Sequence, residues 1–242
     1  MRPPLRRPIG FAHRGARSER RENTLEAFAR ALELGATGLE SDAWLTADGV
    51  VVLDHDGVTG LRLRRRRIRD HVRRTLPPHI PALADLYGEL GTDFELSLDI
   101  KDPAAFEAIL EVAGRAGSAE RLWLCEDDFA RVTRRAPAAG SAHPVLSTHL
   151  EDLDRVVPGG VQGAAASLAS AGASALNLHG SEWNAERVEV VHAAGLLAFG
   201  WDAQSEYHIS RLVGLGVDGI YSDHVDRLMA VISEVAPKPG AS

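Results

Sequence analysis

Glu40 and Asp42 stand two residues apart, and so do Asp99 and Lys101. On extended strands that spacing turns both members of each pair to one face. Three carboxylates gathered from neighbouring strands repel one another and raise each other's pKa unless a cation lies among them. A hard divalent ion removes the conflict. An all-oxygen set of Glu40, Asp42 and Asp99 suits Mg²⁺, Ca²⁺ or Mn²⁺ better than zinc, which prefers Cys and His. His13 and His55 near such an ion are suited to general acid and base catalysis at neutral pH. Arg14 can hold a phosphate by a two-pronged fork, and Lys101 can neutralise it as a point charge. Together these groups describe a phosphoester hydrolase better than an acyl-transfer or redox site.

These residues act together only if a scaffold brings them to one place. Strand-like stretches fall at 8–13, 38–46, 94–101, 122–125, 144–149, 174–179, 196–203 and 219–223, and each is followed by a helical stretch. Asn23, with Glu26 three residues on, is the expected N-cap of the first helix, and Gly35 its stop. A turn at Asp48–Gly49 sends VVVLDH back along the second strand. Strict alternation implies a parallel sheet. Eight units in 242 residues favour a (β/α)₈ TIM-type barrel. The rival open sheet normally opens with G-x-G-x-x-G, and none follows the first strand. In a barrel the candidate residues, all at strand ends, converge on the catalytic face. The stretch 54–81, between the second strand and second helix, is long for a βα loop and is expected to cover part of the site. The chain reads as one domain over 1–236, with a disordered tail at 237–242.

Charge and cysteine usage bound the partners. The total charge is −7, against a bulk polyanion binder, so no nucleic acid is expected. Yet residues 62–74 hold eight arginines and one aspartate. Such a basic segment is either a solvated face or a lure for an anionic substrate. Cys125 is the only cysteine, so no intrachain disulfide is possible. No apolar run follows MRPPLRRPIG, and none reaches the length of a membrane span. A cytoplasmic protein without stable membrane insertion is therefore expected, with its oligomeric state left open.

The motifs themselves resemble a known family. HRGARSERRENTLEAF (13–28), GLESDAWLTADGVVVLDHD (38–56), HIPALADL (79–86), LSLDIK (96–101) and GLLAFGWDAQSEYHISRLVGLGVDGIYSD (195–223) resemble, in order, elements of glycerophosphodiester phosphodiesterases. The resemblance implies a metal-dependent barrel that cleaves a small glycerophosphodiester into glycerol 3-phosphate and an alcohol. It implies His13 and His55 as acid and base, Arg14 on the phosphate, and Glu40, Asp42 and Asp99 as metal ligands. Lys101 falls beside them, and Trp201 matches an aromatic lining the glycerol pocket. Asp99 stands where the family has Glu, an arm shorter by roughly 1.5 Å. Asp202, Gln204 and Ser222 also depart from the family pattern. Two other readings compete. A phospholipase of the sphingomyelinase D kind would be expected to carry a secretion signal and disulfides. A catalytically weak phosphate-binding barrel finds its support in Asp99.

Overall fold

The computed structural model describes residues 5, 7–60 and 65–234. The expected tail and part of the arginine-rich segment lie outside these residues. Strand β1 (Ile9–His13) leads to helix α1 (Leu25–Glu33), and β2 (Gly38–Leu45) turns back into β3 (Val51–Leu53). Two short strands, β4 (Val58–Thr59) and β5 (Arg66–Arg67), precede α2 (Leu83–Leu90). Then follow β6 (Glu95–Ile100), α3 (Phe106–Ala116), β7 (Leu122–Glu126), α4 (Phe129–Arg135) and β8 (His143–Ser147). Two helices, α5 (Leu150–Val156) and α6 (Gly160–Ala171), come before β9 (Ala175–His179) and α7 (Ala185–Ala193). The chain continues through β10 (Leu197–Trp201), α8 (Glu206–Leu215), β11 (Gly219–Ser222) and α9 (Val225–Glu234).

Strands β1, β2, β6, β7, β8, β9, β10 and β11 pair in parallel, and β1 closes the ring by pairing with both β2 and β11. The expected eight-stranded barrel is therefore present. The short helix α5 was not foreseen. Leu150, Leu153, Val156 and Val157 do fall at helical spacing, but the run spans only about two turns, shorter than the window over which a period is read.

Period-two alternation builds the barrel from both sides. On the outer faces Leu39, Ala43, Leu96, Leu98 and Ile100 pack beneath α1, α2 and α3. On the inner faces Ile9, Phe11, Trp123, Val145, Leu197, Phe199 and Tyr221 fill the axis. The Phe11 and Tyr221 rings stack with centroids 4.5 Å apart, and Trp123 meets Phe199 at 4.9 Å. Gly38 and Gly219 leave room for these rings, since a Cβ at either would lie within 2.6 Å of Phe11 or Phe199. Each inward row then turns polar at its C-terminal end. Phe11 is followed by His13, Gly38 by Glu40 and Asp42, Ser97 by Asp99, and Phe199 by Trp201. The aromatic layer is the dry floor of the polar mouth.

The β2–α2 connection departs from expectation. None of its described residues lines the cavity at the barrel mouth. Ile68, Leu76 and Ile80 instead pack against Val52 and Ala82 in a small core of their own. Three apolar anchors thus hold the loop against β3, and most of its described arginines face outward. Arg66, Arg67, Arg69 and Arg74 are exposed. No described helix is long and apolar enough to cross a membrane.

Candidate active site

Register places the acids. His13 pairs laterally with Glu40 across β1–β2, and Asp42 with Asp99 across β2–β6. Ligand oxygens of Glu40, Asp42 and Asp99 come within 4.8 Å of one another. Lys101 Nζ lies 2.9 Å from Asp99 Oδ2 and 3.3 Å from Asp42 Oδ1. Arg14 Nε stands 3.3 Å from Asp42 Oδ2, and the Arg14 amide donates to Glu40 Oε2 at 2.9 Å. Seven of the eight expected residues are thus gathered or adjacent: His13, Arg14, Glu40, Asp99, Lys101 and Trp201 line one cavity of about 460 Å³, with Asp42 behind them.

His55 is the exception. It sits on an exposed turn, its Nδ1 2.9 Å from Asp56 Oδ1, and does not line the cavity. The turn itself is tied to the site, because the Asp54 amide donates to the Asp42 carbonyl at 3.0 Å. Trp44 fixes its far side. The indole donates to the Asp54 carbonyl at 2.7 Å and covers Gly57, where any side chain would strike the ring.

Burial and like charge set the protonation of the cluster. Burial pushes Glu40 from the usual 4.5 up to about 8; His13 opposes the rise, while Asp42 and Asp99 add to it. Asp99 is raised by its packed surroundings and by Asp42, with Lys101 pulling the other way. Lys101 is itself raised, its two carboxylate partners outweighing burial. Even with Lys101 and Arg14 on Asp99 and Asp42, the three acids are too close for all to ionise, as the raised Glu40 shows, so the donor set fits a hard divalent cation held by Glu40, Asp42 and Asp99.

His13 has a partner at the end of the last strand. Asp223, just past β11, lies 2.6 Å from His13 Nδ1, and His13 Nε2 is 3.8 Å from Glu40 Oε2. Burial disfavours the charged ring, but Glu40 and the Asp223 bond outweigh it and raise the His13 pKa. Asp223 is lowered in turn, because the bond to His13 and the nearby Arg17 outweigh its own burial. The Gln204 side chain accepts from the Asp223 amide at 3.0 Å and donates to Asp202 at 3.0 Å. Two signals marked Asp223 in the sequence: its place at a strand end, and its position closing the 195–223 segment that resembles the family.

Asn23 also differs from expectation. Thr24, not Asn23, caps α1 and accepts from the Ala27 amide. Asn23 is buried with φ +54°, accepts from Ser41 Oγ at 2.7 Å and donates to Asp42 Oδ2 at 3.3 Å. Arg14 (φ +56°) and Asp202 (φ +63°) are the other side-chain-bearing residues of positive φ among those described. All three lie at the barrel mouth, where strained backbone often marks function. Gly15, at φ +77°, lets the chain leave β1, since a Cβ there would lie 2.7 Å from the Ala27 backbone.

The far wall holds Ser147, His149, Asn177 and Trp201. His179 stays outside this cavity. Its Nε2 lies 3.2 Å from Asp202, and its ring meets Trp201 edge-on at 4.6 Å.

Comparison with known proteins follows the same lines. Residues 13–77 and 122–227 match the glycerophosphoryl diester phosphodiesterase family; the unmatched stretch between them carries Asp99 and Lys101. A glycerophosphodiester phosphodiesterase of Caldanaerobacter subterraneus is 25% identical over 92% of this chain and 96% of its own. The fold is shared with a glycerophosphodiester phosphodiesterase from Thermotoga maritima, with TM-score 0.79 and 22% identity over 93% of this chain and 98% of that one. It is shared as well with an Oleispira antarctica phosphodiesterase solved with its product sn-glycerol-3-phosphate, at TM-score 0.76 and 19% identity over 94% and 98% of the two chains. With this barrel, this clustering of acids and a family match over most of its length, the chain belongs to the glycerophosphoryl diester phosphodiesterase family.

Proposed function

We propose that the protein hydrolyses small glycerophosphodiesters to glycerol 3-phosphate and an alcohol. The observation that carries this reading is the clustering of Glu40, Asp42 and Asp99 beside His13, Arg14 and Lys101 at the polar mouth of the barrel. The three carboxylates would hold a divalent cation, Mg²⁺, Ca²⁺ or Mn²⁺. When bound, that ion supplies charge neutralisation at the phosphoryl oxygens and eases loss of a proton from a neighbouring hydroxyl.

The chain's own groups account for the rest. Arg14 and Lys101 orient the phosphate and offset the charge that builds on it. Asp223 takes the Nδ1 proton of His13 in a hydrogen bond, which leaves Nε2 on the cavity side for proton transfer. In the first step the substrate's glycerol hydroxyl loses its proton to one histidine and its oxygen attacks phosphorus. The bond to the leaving alcohol breaks as the other histidine protonates that alcohol. Water then opens the cyclic glycerol phosphate with the histidine roles exchanged. The candidate for the second role is His55, which stands outside the cavity on the turn whose Asp54 amide is tied to Asp42. Trp201 gives the glycerol an apolar face.

The test is release of glycerol 3-phosphate from glycerophosphocholine and glycerophosphoethanolamine after EDTA treatment, then with each ion added. Turnover abolished by EDTA and restored by one ion is expected. A folded protein inert with every ion would return the reading to a barrel that binds phosphate without cleaving it.

A further inference from the structure

Asp223 stands where regular structure has run out. The pairings of β11 with β1 and with β10 end before it, at Ser222 and Ile220. No strand ladder therefore fixes the direction of its carboxylate. His13 depends on that direction, and a competitor stands close by. Arg17 Nη1 lies 3.7 Å from the same Asp223 Oδ1 that meets His13.

Gln204 supplies what the ladder does not. Beyond Trp201 the chain turns through Asp202, at φ +63°, and the Ala203 amide donates to the Tyr221 carbonyl at 3.1 Å. That bond lays the segment over the end of β11. From there the half-buried Gln204 side chain spans two loops. Its Oε1 accepts from the Asp223 amide at 3.0 Å and from the Ser222 hydroxyl at 3.4 Å. Its Nε2 donates to Asp202 Oδ1 at 3.0 Å, and Asp202 Oδ2 lies 3.2 Å from His179 Nε2. Asp202, Gln204 and Ser222 all depart from the family pattern, and they are bonded to one another.

We infer that Gln204 is a positioning residue for His13, acting through Asp223, with Asp202 and Ser222 completing one hydrogen-bonded clamp. The inference rests on the function proposed above. An amide suits this place because it accepts from the Asp223 backbone and donates to Asp202 at once. A carboxylate there accepts only, and adds a charge between Asp202 and Asp223. Without the clamp Asp223 is free to turn to Arg17. The His13 ring then loses the partner that keeps its Nε2 toward the cavity. Gln204 also borders the cavity, so a direct hold on substrate is the role that the test must separate from positioning.

The experiment measures kcat and KM for glycerophosphocholine in the full chain with its restoring ion, for Gln204→Met and Gln204→Ala. Methionine keeps the volume and removes the side-chain bonds; alanine removes both. In each variant kcat should fall roughly tenfold, and kcat/KM should fall alike, since the loss is felt only in the transition state. A raised KM at native kcat would make Gln204 a substrate contact and overturn the inference, as would native kcat in the methionine variant. NMR of protein carrying isotope-labelled histidine gives a readout free of turnover. It follows the Nδ1–H of His13, identified by its absence in His13→Gln, and that signal should move in both variants as the bond to Asp223 weakens. An unmoved signal overturns the inference. Variants that fail to fold, by circular dichroism, would make Gln204 a residue of the fold alone and also overturn it. If the native protein cleaves no glycerophosphodiester, the functional reading fails by itself and the His13 signal decides this one.

Discussion

Replacing Asn23 should disturb the site without replacing a proposed ligand. Asn23 holds φ at +54° and bridges Ser41 Oγ to Asp42 Oδ2 while almost fully buried. Asn23→Ala loses both bonds and forces an alanine into the left-handed region. The strain costs about 1–2 kcal/mol. Stranding the buried Ser41 hydroxyl costs about 1–3 kcal/mol, and the longer bond to Asp42 adds about 1. A total near 4 kcal/mol corresponds to a fall in Tm of roughly 8–16 °C for a chain of this size. Asn23→Gly keeps the backbone relaxed and loses only the bonds, so it should fall by about two-thirds as much. Asn23→Asp keeps the backbone and the acceptor for Ser41 but sets a carboxylate against Asp42, and should be destabilised chiefly in EDTA. Calorimetry on the three variants, with and without the restoring ion, separates the contributions. Equal losses for alanine and glycine would refute the strain argument. An aspartate variant as stable as the native protein in EDTA would refute the bond to Asp42.

Two further outcomes follow from the electrostatics. Glu40 is raised from 4.5 to about 8, so the folded state holds its proton more tightly than the unfolded chain does. Stability without metal should therefore fall as pH rises from about 4.5 through about 8, on the order of a few kcal/mol in all, and His13 and Asp99, also raised, act in the same direction. Thermal melts in EDTA across that range check this; a divalent ion should flatten the slope, and stability that rises with pH would contradict it. At the other end of the site, His13→Ala should abolish turnover with the fold intact by circular dichroism, and Asp223→Asn should reduce kcat roughly tenfold to a hundredfold with a displaced pH profile. Near-native kcat in either variant would remove its role.

Local order made much of the fold legible. Strand and helix alternate in the sequence because each strand must be apolar outward beneath a helix and each helix apolar on one stripe. The i, i+2 spacing of Glu40 with Asp42, and of Asp99 with Lys101, announced shared faces, and the barrel register brought those faces together. Asn23 misled because a short polar residue before a helix reads as a cap, whereas its left-handed backbone, visible only in three dimensions, hands the cap to Thr24. The β2–α2 loop misled for a related reason. Its length suggested a lid, but Ile68, Leu76 and Ile80 are spaced without a period, and only packing shows that they anchor it against β3.

The sequence by itself determined the barrel, the polar ends of its strands and the chemistry of the acids, because side-chain period and residue type are local properties. Tertiary structure alone decided that Asp223, 210 residues from His13, is its hydrogen-bond partner. It also decided that Asp127, Asn177 and Asp152 share a wall and that His55 sits on an exposed turn outside the cavity, tied back to Asp42 through the Asp54 amide. Those relations depend on closing the ring between β1 and β11, and nothing in the spacing of residues along a chain records which distant side chains closure brings into contact.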